Sequence, residues 1–66
     1  MHYNNFNSMK MLNLTYANGS KVYINPDEIS CIHPILNEDF VAKTRIELKN
    51  GKEILVMETI EEIHHM

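Results

Sequence analysis

Cys31 and His33 are the residues whose types and spacing come nearest to a chemical site. Two positions apart on an extended segment, they point to the same side, which suits a pair of metal ligands or a thiolate beside a base. A zinc site takes three or four ligands. The other histidines are His2 near the N-terminus and His64-His65 at the C-terminus, and there is no second cysteine. The pair therefore lacks the companions a metal centre needs. These residues predict a structural cysteine, a surface histidine, no bound metal and no cofactor. His64 and His65 are expected to end a helix, where a partly positive imidazole suits the terminal carbonyls.

Acid and base catalysis finds no better candidates. Asp27-Glu28, Glu38-Asp39 and Glu61-Glu62 are adjacent pairs in turn or helix-start contexts, where carboxylates are solvated rather than converging on a cleft. Both glycines lie in Asn-Gly turns and not in a phosphate-binding loop. No nucleophile elbow is present. A single protomer of this size has difficulty enclosing a pocket of roughly 300 Å³ or more, so no catalytic residue and no enzymatic activity are expected. Six Lys and Arg stand against nine Asp and Glu, a formal charge of −3, which argues against phosphate backbones as partners. Lys43 and Arg45 share a strand face with Glu47, and Lys49 and Lys52 flank a turn beside Glu53. That is a mixed-charge surface and not a basic stripe.

The scaffold that must position these groups is small. Sixty-six residues form one domain with a marginal core. A lone cysteine excludes an intrachain disulfide and suits a reducing compartment. Apolar residues at 44% and charged residues at 23% describe a globular chain. No apolar run approaches the roughly 18 residues of a membrane helix, and MHYNNFNSMK lacks the features of a secretory leader. A soluble protein is expected.

One hairpin pattern occurs twice. LNLTYANGSKVYI and TRIELKNGKEILV superimpose with Asn18-Gly19 on Asn50-Gly51, Leu14 on Ile46, Tyr16 on Leu48, Val22 on Ile54 and Ile24 on Val56. A three-residue loop Ala17-Asn18-Gly19 sets Leu14 opposite Val22 and Leu12 opposite Ile24, keeping apolar residues on one face; a two-residue loop mixes the faces. The same rule sets Ile46 opposite Ile54 and Thr44 opposite Val56. Gly19 and Gly51 then take the left-handed bulge position beside Asn18 and Asn50. Leu14, Val22, Ile46 and Ile54 are expected to be buried between the hairpins. Asn25-Pro26-Asp27-Glu28 predicts a single helical turn, and Thr59 with Glu62 predicts a capped C-terminal helix carrying Ile60 and Ile63 on one face. Ile29 to Leu36 reads as a strand, demoted by Pro34 to an edge or a bend, and Asn37-Glu38-Asp39 reads as a turn leading into Phe40-Val41-Ala42. The expected class is mainly β: a small antiparallel sheet or SH3-like barrel of about five strands, built from two NG-turn hairpins, with a short C-terminal helix. Residues 1–9 read as a flexible extension and residues 10–66 as the domain.

Leu14-Thr15, Asn18-Gly19, Ile24-Asn25-Pro26, Ile29, Thr44, Ile46, Leu48, Asn50-Gly51-Lys52, Val56, Glu58, Glu61, Glu62 and Ile63 follow one another in an order that resembles the small flagellar FlbD/SwrD-type proteins. The resemblance covers most of residues 11–63. The connection HPILNEDFVAK is longer than the family's usual acidic link, and Tyr16 stands where the family commonly has arginine. The resemblance implies a non-enzymatic accessory or regulatory protein, cytoplasmic in a bacterium, or in the host cytoplasm if encoded by a phage, since similar proteins occur in phage genomes. A weaker likeness to CsrA-type RNA-binding dimers extends over MLNLTYANGSKVYI. Tyr16 and the closing VMETIEEI lack the basic residues by which that family reads RNA.

Two functional readings stay open. One is an interaction module that binds a larger protein, with Tyr16, Tyr23, Phe40 and Arg45 as the candidate surface. The other is a phage-encoded inhibitor or ligand-sequestering protein whose small-molecule pocket lies between protomers. Both involve a homo-oligomer, because one small core has difficulty covering five methionines with the tyrosines and phenylalanines.

Overall fold

A computed structural model describes residues 10–66; the expected extension over residues 1–9 lies outside the described residues. Five strands follow in order, β1 (Leu12–Thr15), β2 (Lys21–Ile24), β3 (Ile29–Pro34), β4 (Thr44–Leu48) and β5 (Glu53–Val56), and a helix α1 (Ile60–His64) closes the chain. They form two antiparallel sheets, β1-β2 and β3-β4-β5. The mainly β class with a short C-terminal helix is as the sequence predicts. The strands do not, however, close into a barrel. Between β2 and β3 the chain turns through a 3-10 segment, Pro26–Glu28, whose proline lacks a donor for a continued ladder. At the seam between the two sheets Tyr16 forms a bridge with Val56, and the Met57 N–H donates to the Thr15 carbonyl at 2.8 Å.

Both hairpins have the expected registers. Leu12 pairs with Ile24 and Leu14 with Val22; Thr44 pairs with Val56 and Ile46 with Ile54. The two loops are copies in detail. Gly19 N–H donates to Tyr16 O and Gly51 N–H to Leu48 O, each at 2.9 Å. Asn18 Oδ1 accepts from Ser20 N–H and Asn50 Oδ1 from Lys52 N–H, again at 2.9 Å. An Asn side chain thus holds each turn locally. Gly19 and Gly51 lie at φ 93° and 90°, and a Cβ at either would meet no atom within 4 Å. The cost of a side chain there is backbone strain alone. Gly19→Val and Gly51→Val should each lose on the order of 1–2 kcal/mol; thermal melts unchanged by both would refute these turns.

The core lies between the hairpins and comprises Leu14, Ile24, Ile46, Val56 and Ile63. Val22 and Ile54, expected in the same layer, are only partly buried and pack against it. Both border an open groove, whereas their cross-strand partners Leu14 and Ile46 are fully buried. The capping box of α1 forms as expected: Glu62 N–H donates to Thr59 Oγ1 at 3.1 Å, and Thr59 N–H donates to Glu62 Oε1 at 2.8 Å. Ile63 is buried, whereas Ile60 is exposed. Asn25 caps the 3-10 turn, its side chain accepting from Asp27 N–H.

Pro34 is the last residue of β3, and β3 is an edge strand, where a missing N–H is tolerated. Asn37 organises the next turn, its carbonyl accepting from Phe40 N–H at 3.1 Å and its side chain from Asp39 N–H at 2.9 Å. Phe40 to Ala42 do not extend β4, which begins at Thr44.

Candidate functional site

An open groove of about 380 Å³ runs between the hairpins. Met11, Tyr16, Val22 and Tyr23 come from the first half of the chain, and Leu48 and Ile54 from the second. Val22 and Ile54, partly buried beside the core, form part of the groove's wall. Glu28 is the acidic group on its wall. Tyr23 is 60% exposed and Met11 45%, so the lip presents an aromatic ring and a flexible thioether to solvent.

Of the four residues expected to form an interaction surface, the fold brings Tyr16 and Tyr23 together in this groove. Phe40 is exposed on the connection between β3 and β4 and does not line it. Arg45 is engaged elsewhere, where its Nη1 donates to Glu47 Oε2 at 2.7 Å and Glu53 Oε2 at 2.8 Å. Hydrogen bonding to Glu47 is the main influence raising the Arg45 pKa above its ordinary value.

That ion pair belongs to the outer face of the three-stranded sheet. A bulge between Ile29 and Cys31 sets Cys31 opposite Glu47, Ile32 opposite Ile46 and His33 opposite Arg45. Ile29 and Ile32 both pack on the core although they are three apart, and an extra residue in the strand reconciles that spacing with a period of two. Cys31, His33 and Glu47 are consequently neighbours: one Sγ, one imidazole nitrogen and one carboxylate oxygen all lie within 4.8 Å of one another. Glu47 is the member that sequence spacing does not reveal. The signal for it is the three-residue interval between Ile29 and Ile32, which requires the bulge and so sets the pairing.

A third polar cluster ties the hairpins together. Thr15 donates to Glu58 twice, from N–H to Oε1 and from Oγ1 to Oε2, both at 2.8 Å. The fully buried Thr44 donates its hydroxyl to the Glu58 carbonyl at 2.6 Å.

The groove and these clasps define a small two-hairpin β protein with an open apolar cleft. The FlbD family model, described as flagellar and swarming motility proteins, matches residues 11–66. The chain belongs to that family and is a small flagellar or motility-related protein. No curated protein and no solved structure matches it. No helix among the described residues is long and apolar enough to cross a membrane.

Proposed function

We propose that this protein is a non-enzymatic interaction module that binds a larger protein of the motility apparatus through the groove between its hairpins. The observation that carries the reading is the groove itself: an apolar cleft lined by Tyr16 and Tyr23 in a chain of the flagellar and swarming family. Aromatic side chains at the lip of an apolar cleft are the usual anchors of protein recognition, since they bury much area at little entropic cost. The partner presents an apolar segment, and a basic group on it would meet Glu28. Self-association belongs to the same proposal: of the edge strands, β2 and β3 lie away from the Tyr16–Val56 seam, and copies would pair along them.

Tyr23→Ala tests this reading with little risk to the fold, because the ring is largely exposed. In the organism that encodes the protein, the variant should impair swarming and lose at least tenfold in affinity for the protein that copurifies with the wild type, equivalent to about 1.4 kcal/mol. Phe40→Ala, exposed but outside the groove, should behave as wild type. Full motility and undiminished copurification with Tyr23→Ala would remove the groove from the function.

A further inference from the structure

We propose that Cys31, His33 and Glu47 form a binding site for a zinc-class divalent cation on the outer face of the three-stranded sheet. The sequence discounts Cys31 and His33 for want of a third ligand, and β4 supplies it. The bulge in β3 places Cys31 directly opposite Glu47, so a sulfur, a nitrogen and a carboxylate oxygen converge within 4.8 Å. Such a mixed donor set suits zinc and similar borderline ions, not calcium or magnesium, which prefer all-oxygen shells.

The second observation is the state of the imidazole. His33 Nε2 is sealed from solvent and has no hydrogen-bond partner; Glu47 Oε2 lies 3.7 Å from it. A buried polar atom left unpaired is costly. In the tautomer with the ring proton on Nδ1, Nε2 carries a free lone pair, and a cation among the three groups would satisfy it.

Geometry and charge are compatible with this occupant. Metal bonds of about 2.0–2.3 Å in a tetrahedron place ligand atoms roughly 3.3–3.8 Å apart, so ligand atoms within 4.8 Å of one another must approach by about 1.5 Å at most. Cys31 is exposed and Glu47 half-exposed, and side-chain rotation on that scale leaves the ladder intact. Arg45 donates to Glu47 Oε2 at 2.7 Å and so orients the carboxylate, as outer-shell partners do. On binding, the Cys31 thiol transfers its proton to solvent as the sulfur–metal bond forms. The exposed side of the cluster leaves a fourth position for water or for a donor from another molecule.

The test is titration of the reduced, untagged, metal-free full chain with Co²⁺, followed by Zn²⁺. Co²⁺ should produce a saturable thiolate-to-cobalt charge-transfer band at no more than one ion per chain, and Zn²⁺ should bleach it. Cys31→Ser should abolish the band, and His33→Ala and Glu47→Ala should each weaken Co²⁺ binding by tenfold or more. Joint replacement of His64 and His65 by alanine should leave binding unchanged. Circular dichroism of each variant confirms that the sheet is retained. The proposal is overturned by the absence of a band in the wild type. A band that survives undiminished in either His33→Ala or Glu47→Ala, or that needs the terminal histidines, overturns it equally.

Discussion

Ile46→Ala should destabilise the protein by roughly 2–4 kcal/mol. Ile46 is fully buried at the middle of β4, the central strand of the three-stranded sheet, and it faces Ile32 on one side and Ile54 on the other. Leu14, Ile24 and Val56 share its cluster. Truncation therefore opens a cavity where both hairpins meet, and a central strand cannot shift to fill it without breaking two ladders. Single domains hold about 5–15 kcal/mol of net stability, with small ones toward the low end, so the variant is expected to be partly unfolded at 37 °C. Urea denaturation of Ile46→Ala beside Leu55→Ala, an exposed residue on the opposite face of the sheet, measures the difference. A change of only a few tenths of a kcal/mol at Ile46 would mean that the alternation faces the other way.

The hairpins are legible in the sequence because an Asn-Gly loop of fixed length leaves one register that keeps the apolar residues together. Depth within the core is less legible. Alternation assigns Val22 and Ile54 to the inner face, and they are on it, but they border the groove while their strand partners Leu14 and Ile46 are fully buried, a difference set by how the hairpins pack and not by the period of two. The join between the hairpins is hidden for a related reason. Thr15, Thr44 and Glu58 are far apart in sequence, and nothing in their local pattern says that a carboxylate after β5 will receive the end of β1. These residues, with Glu62, all belong to the pattern through which the chain resembles its family. Once placed, they prove to be clasps and caps that hold the fold, so that pattern speaks more to architecture than to partner choice. The cluster of Cys31 with Glu47 is hidden because it depends on a bulge, and a one-residue offset decides which side chains face each other across a pair.

Glu58→Ala should cost roughly 2–3 kcal/mol, and with it most of the low-pH sensitivity that this carboxylate confers. The side chain accepts the Thr15 N–H and hydroxyl, both at 2.8 Å, and hydrogen bonds to a charged acceptor contribute about 1.5–3 kcal/mol. Alanine leaves the part-buried Thr15 N–H without its acceptor at the seam between the sheets. Burial alone would push the Glu58 carboxyl up, but the Thr15 backbone and hydroxyl bonds, its own N–H and the nearby Lys21 together hold it below its ordinary value of 4.5. A carboxyl whose pKa is depressed by folding binds fewer protons in the native than in the unfolded state, so its contribution is fully present above the unfolded pKa and is lost as pH falls through the folded one. Wild-type stability should therefore fall more steeply than that of Glu58→Gln as pH drops below about 4.5, whereas the two curves should run parallel near neutrality. Glutamine keeps a carbonyl for the Thr15 N–H, removes the charge and turns the acceptor of the Thr15 hydroxyl into an NH2 donor to that oxygen, which separates titration from loss of shape. Urea melts of the wild type, Glu58→Gln and Glu58→Ala at a series of pH values provide the curves. Equal slopes for wild type and Glu58→Gln through the acid range would show that the Thr15 clasp does not depend on an ionised Glu58.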